Sequence, residues 1–118
     1  MKTELKDRTY RYAIKIIEFL DSLPSDPSTQ TLLRQLLRSA TSIGANIIEA
    51  KASSSKRDFT NFFTHSLKSA NESLYWLGLL KDAKKISGPQ LEYLIGETNE
   101  LANILGSSIL TLKGKKKF

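Results

Sequence analysis

RSATSIGANIIEA, running from Arg38 to Ala50, decides how this chain must fold. At about 100° per residue, Arg38, Ser42, Asn46 and Glu49 fall within roughly an 80° arc, while Leu33, Leu36, Ala40, Ile43 and Ile47 occupy the far side. That pattern is an amphipathic helix: one face builds a core, and the polar stripe is left to meet something else.

The flanking sequence repeats the pattern. Asp26 and Pro27 start this second helix, because a carboxylate accepts the free N–H groups of a first turn and proline suits its first position. It is expected to span about Pro27 to Lys51. Before it, Leu5, Thr9, Tyr12, Ile16, Phe19, Leu20 and Leu23 form the seam of a helix from about Thr3 to Ser22, ended by Leu23-Pro24. After it, Ser53-Ser54-Ser55 breaks the chain, and Ser55 with Asp58 resembles a capping box. The third helix then runs to about Ala83 with Phe59, Phe62, Phe63, Ser66, Leu67, Ala70, Leu74, Leu77 and Leu80 on one seam. Ser87-Gly88-Pro89-Gln90 launches the fourth, whose seam is Leu91, Leu94, Ile95, Thr98, Leu101, Ala102, Leu105, Ile109 and Leu112. Long helices joined by short connections must double back on their neighbours. The fold predicted is all-α, an antiparallel up-down-up-down four-helix bundle over residues 1–113, with a basic C-terminal tail at 114–118.

A chain of 118 residues is one cooperative domain. With no cysteine and a single histidine, His65, it has no disulfide, thiolate zinc site or cysteine nucleophile. The charged start (Lys2, Glu4, Lys6, Asp7, Arg8) lacks the apolar stretch of a secretory signal, and no run approaches the roughly 18 apolar residues of a spanning helix. A cytoplasmic protein is expected, with no membrane contact.

The predicted topology turns a net charge of +6 into a polarised molecule. The pole formed by the start of helix one, the end of helix two, the start of helix three and the end of helix four collects Lys2, Lys6, Arg8, Arg11, Lys51, Lys56, Arg57, Lys113, Lys115, Lys116 and Lys117. Only Glu4, Asp7, Glu49 and Asp58 oppose those eleven cations. A phosphate backbone would dock there, with Lys51, Lys56, Arg57, Lys113, Lys115, Lys116 and Lys117 as the contacts; the competing reading is a solubilising tail.

Apolar surface is also in surplus. Helix three carries a second stripe, His65, Ser69, Glu72, Trp76 and Leu79, broadened by Tyr75, and Ile14, Tyr93 and Ile104 point away from their seams. Outward apolar patches of this size mark contacts with another chain, and a second copy is the simplest candidate. Arg38, Asn46, Glu49, His65, Glu72 and Trp76 are the expected interface residues. A solvated face or a ligand site are the alternatives for the Arg38, Asn46 and Glu49 stripe.

Catalytic groupings are absent from the pattern. His65 and Glu72 are two turns apart, about 10 Å at 1.5 Å per residue, too far for a direct bond. A di-metal bundle site needs Glu-x-x-His pairs on facing helices, and there are none. Gly44, Gly78, Gly96 and Gly106 are isolated within helices, where they are expected to let helices approach closely. Neither an enzyme nor a cofactor or small-molecule substrate is expected.

RSATSIGANIIEA and DFTNFFTHSLKSANESLYWLGLL, Asp58 to Leu80, together resemble the signatures of the 23S rRNA-intervening sequence protein family, with Glu72 in the acidic position of the second. The family usually has glycine where this chain has Ala50, after the Asn-x-x-Glu element, so the exit from helix two is expected to differ. The resemblance covers nearly the whole chain. It implies a bacterial up-down bundle assembling as a homopentamer without catalytic activity. It also implies kinship with the accessory variability determinant of diversity-generating retroelements, whose basic surface meets nucleic acid. RNA or DNA contact through the basic pole is the first expectation; a protein-interaction scaffold without nucleic acid is the other.

Overall fold

The computed structural model describes residues 4–114. They form four helices, α1 (Leu5–Asp21), α2 (Pro27–Ala52), α3 (Lys56–Ala83) and α4 (Pro89–Leu112), and no strand. Each helix starts where the sequence supplies a reason. The Asp26 carboxylate accepts from the Thr29 backbone N–H (3.3 Å) and from the Thr29 hydroxyl (3.0 Å), with Pro27 at the first position of α2. Ser55 Oγ accepts from the Asp58 N–H at 3.1 Å, which is half of a capping box. The return bond is missing because Asp is one methylene shorter than the Glu that normally makes it. Gly88 enters α4 at φ 120°, a backbone angle that favours glycine, and Pro89 follows. At the exit from α2, Ala50 is buried and the helix continues to Ala52.

Cross-helix bonds fix the direction of packing. From α2 to α3 the contacts are Arg38 with Glu72, Ser39 with Ser73, Ser42 with Ser69 and the Ile43 carbonyl with Ser66, so one turn further along α2 the partners lie about one turn back along α3. From α1 to α4, Arg8 meets Glu97 and Glu100, Tyr12 meets Thr98 and Lys15 meets Tyr93 in the same opposed sense. Helices adjacent in the chain pack together and α4 closes back onto α1; among the described residues the backbones of α1 and α3, and of α2 and α4, face each other diagonally without close approach.

The core is the set of seams the helical period picks out: Tyr12, Ile16 and Phe19 from α1; Leu33, Leu36, Ala40, Ile43 and Ile47 from α2; Phe63, Ala70, Leu77 and Leu80 from α3; Leu91, Leu94, Leu101, Leu105 and Ile109 from α4. Polar side chains share it. Tyr12 and Thr98 hydroxyls meet at 2.6 Å, Ser73 also bonds the Tyr12 phenol, and Ser39 and Ser73 meet at 2.8 Å, so a chain of hydroxyls crosses the bundle from α4 to α2. Among the described residues, no buried side-chain polar atom lacks a partner.

Of the four helical glycines, only one mediates close packing. A Cβ at Gly44 would stand 3.0 Å from Thr9 Oγ1, so glycine is what lets α1 settle onto α2. Gly78, Gly96 and Gly106 face open space instead: a methyl group added at any of them would have nothing within 4 Å, which overturns the expectation that they too admit a neighbouring helix.

Candidate interaction surfaces

The six residues expected at an oligomer interface share the face formed by α2 and α3, but α3 does not hold its second stripe free of the protomer. It leans on α2. Arg38 donates to Glu72 and, at 3.0 Å, to Gln35 Oε1; Trp76 Nε1 donates to Glu72 Oε2 at 2.9 Å. Asn46 Nδ2 donates to the Ser42 carbonyl at 2.9 Å, and Ser69 donates to Ser42 Oγ at 3.0 Å. Glu72 thus ties an arginine on one helix to an indole on its own. Trp76 is half-buried against the core and meets Tyr75 edge-on at 5.0 Å, leaving Tyr75 61% exposed. Glu49 and His65 are exposed on the same face and make no side-chain hydrogen bond or ion pair among the described residues. His65 and Glu72 are not in contact.

Lys51, Lys56, Arg57 and Lys113 are exposed at one pole, where α2 ends, α3 begins and α4 ends. Lys51 Nζ lies 4.0 Å from Glu4. Lys115, Lys116 and Lys117 lie outside the described residues, as does Lys2. The charge balance at this pole differs from the expected one. Arg8 grips Glu97 through a two-toothed contact, Nε to Oε2 and Nη2 to Oε1 both at 2.8 Å, and reaches Glu100 at 2.8 Å. Those bonds hold the guanidinium above its already high ordinary pKa, the Glu97 hydrogen bond contributing most. The two glutamates therefore belong to the pole. Its described residues carry seven basic side chains (Lys6, Arg8, Arg11, Lys51, Lys56, Arg57, Lys113) against six acidic ones (Glu4, Asp7, Glu49, Asp58, Glu97, Glu100). Sequence reading placed Glu97 and Glu100 elsewhere because they sit mid-helix on α4; only the level at which α1 begins reveals that they face Arg8.

The most apolar exposed surface is one that sequence reading named only through Ile14. On α1, Tyr10, Ile14 and Ile17 are 68%, 42% and 44% exposed; on α2, Leu37 and Ile48 are 39% and 45% exposed. Between the two helices runs a groove of about 430 Å³ floored by Ala13, Thr41, Gly44 and Ala45, with Tyr10 and Ile48 on its walls and Lys6 and Asp7 at one end. The signal was present in the chain: Tyr10, Ala13 and Ile17, like Leu37, Thr41 and Ile48, recur at helical spacing beside the core seam.

The opposite side of α1 borders a wider groove, about 920 Å³, between α1 and α4. Tyr12 closes its floor, and burial pushes the Tyr12 phenol up to about 12 against the opposing pull of its Thr98 and Ser73 hydrogen bonds. Among the described residues, no cluster of three or more His, Asp or Glu side chains is arranged to hold a metal ion, and no helix is long and apolar enough to cross a membrane.

Known proteins agree with this architecture. A protein of unknown function from the S23 ribosomal protein family of Bacteroides thetaiotaomicron has a crystal structure that superposes with a TM-score of 0.82 at 37% identity, covering 90% of this chain and 98% of that one. No curated protein matches the chain. Residues 1–107 match the family described as 23S rRNA-intervening sequence protein, and at that coverage the chain belongs to the 23S rRNA-intervening sequence protein family.

Proposed function

We propose that the chain is a non-catalytic, self-assembling helical module that, once assembled, holds RNA or DNA electrostatically at its basic pole. The observation that carries the reading is the exposed surface of α1 and α2: among the described residues, five of the eight large apolar side chains that stand exposed lie on these two helices, Tyr10 and Ile48 lining the groove between them. Water contact with such a face is unfavourable by about 25 cal/mol per Å², which a second copy relieves. In a closed ring, such as the pentamer that the family resemblance implies, each copy offers two different faces to its two neighbours. The α1–α2 face serves as one, and the α2–α3 face with Arg38, Asn46, Glu49, His65, Glu72 and Trp76 as the other. Assembly would gather copies of Lys51, Lys56, Arg57 and the tail lysines Lys113, Lys115, Lys116 and Lys117 into one multivalent surface.

Light scattering on the purified chain at micromolar concentration tests assembly. A single oligomer is expected, and Ile17→Lys with Ile48→Lys should yield a helical monomer; a monomeric wild type refutes the reading. Nucleic acid that copurifies and is stripped by salt is the expected sign of the electrostatic part. One observation favours the alternative of a protein-interaction scaffold: seven cations against six anions leave the described pole almost neutral. Salt-insensitive absence of RNA and DNA binding by an intact oligomer would decide for the scaffold.

A further inference from the structure

The groove between α1 and α4 has a composition the α1–α2 face lacks. Along its α1 rim stand Arg8, Arg11 and Lys15, spaced three and four residues apart so that all three lie on one strip of the helix. Arg8 is taken by Glu97 and Glu100. Arg11 and Lys15 are exposed, and neither has a carboxylate partner among the described residues. Lys15 Nζ instead lies 5.6 Å from the centroid of the Tyr93 ring, on the α4 wall, and Tyr93 is 49% exposed. The acid that lines this part of the groove, Glu97, has its charge met by Arg8, while Glu4 stands at the mouth near Lys51. Two cations without a carboxylate partner, one of them lying over one face of a half-exposed tyrosine ring, are the pairing with which single-strand binders track a backbone and stack a base.

We propose that this groove binds single-stranded nucleic acid, Tyr93 stacking an unpaired base while Arg11 and Lys15 hold flanking phosphates. The proposal rests on the nucleic-acid part of the function proposed above and gives the strand a path from the pole down the side of α1. A duplex cannot use Tyr93, because its base faces are already stacked. An acidic peptide would meet Arg11 and Lys15 yet leave the ring without a role.

A fluorescent oligouridine of about 12 nucleotides, inside the range of single-domain sites, is the probe, titrated between ~50 and ~200 mM salt. Arg11→Gln with Lys15→Gln should flatten the plot of log affinity against log salt by about 1.4, at about 0.7 per lost phosphate contact on a single strand. Tyr93→Leu should weaken binding about tenfold with the slope unchanged, and Tyr93→Phe should restore it, since stacking needs the ring and not the hydroxyl. All three side chains are exposed, so retained helical circular dichroism is expected in each variant. If wild type binds and the groove variants bind equally well while Lys56→Gln with Arg57→Gln binds weakly, the groove is wrong and the polar site stands. If wild type binds duplex as tightly as the single strand, with Tyr93→Leu without effect, the stacking proposal is overturned. Absence of binding at every salt removes both readings together.

Discussion

The α2–α3 and α1–α4 pairs are built from the same antiparallel geometry and hold together by different means. α2 and α3 make the most extensive contact in the bundle, and α1 and α4 the least. Where α2 meets α3 the side chains are small: Ser39 and Ala40 on one helix, Ser66, Ala70 and Ser73 on the other, all buried. Small side chains let backbones approach, and each serine finds its partner across the gap or one turn away. α1 meets α4 through long side chains, Arg8 to Glu97 and Tyr12 to Thr98, which bridge a gap they cannot fill. What remains open is the wide groove. One pair is a packed spine; the other is a pinned seam with room for a ligand.

Perturbing each side separately sharpens this contrast. The largest effect belongs to the spine: Ile43→Ala empties a fully buried site beside the Ser66 hydrogen bond and should lower the unfolding free energy by about 3 kcal/mol in urea denaturation. Next, Tyr12→Phe removes a buried hydroxyl from the cross-bundle chain and should cost about 1 kcal/mol. Its pH signature has a definite sign. Burial raises the folded-state pKa from 10.0 to about 12, so the stability held by the neutral phenol is complete below pH 10.0 and is lost as pH climbs towards 12. Tyr12→Phe should lose less stability than wild type over that interval, and parallel stability profiles would contradict the assignment.

Glu97→Gln tests the pin at the seam. Its carboxylate is only 12% exposed and the contact is two-toothed, so a loss near 1 kcal/mol is expected, above that of ordinary surface pairs, with Arg8 still able to reach Glu100. No change in the urea midpoint would mean the groove closes without it. The smallest effect lies at the far pole. Lys84, 3.0 Å away, is the chief reason the Asp26 carboxyl sits well below the usual carboxylate range, helped by Thr29. A depressed pKa contributes stability above about pH 4 and loses it as the medium becomes more acid. Asp26→Asn keeps a good helix cap, so wild type and variant should differ slightly at neutral pH and converge below pH 4 in thermal melts.

Much of the spine was legible in the chain, and little of the seam was. Pro27, Ser55 and Gly88-Pro89 punctuate the helices because their backbone chemistry acts locally, so the starts of α2, α3 and α4 follow from the sequence. The hydrophobic seams are legible for the same reason: a period of 3.6 needs no partner to be read. Ser39 and Ser73 are absent from the seams drawn from the sequence, since their burial depends on a hydroxyl supplied by another helix. Arg8 reads as a free cation until α4 is placed beside it with Glu97 and Glu100 at the right height. The apolar α1–α2 face escaped because each helix was weighed alone; Tyr10 or Leu37 is an ordinary surface residue until α1 and α2 lie side by side. The expected role of three glycines failed because sequence shows that a side chain is missing and not which way the gap points.

The line of hydroxyls through the middle of the bundle also polices alignment. Leucine-rich helices slide past one another at low cost, since one apolar contact replaces another. Tyr12 allows no such tolerance: Ser39, Ser73 and Thr98 each keep a carbonyl of their own helix, but the phenol's partners stand only on α3 and α4, so shifting α1 along its axis strands that hydroxyl in a dry interior at about 1–3 kcal/mol. A chain with otherwise interchangeable seams thereby acquires one preferred register, and the surfaces proposed above to meet a second copy would be held at constant height around a ring.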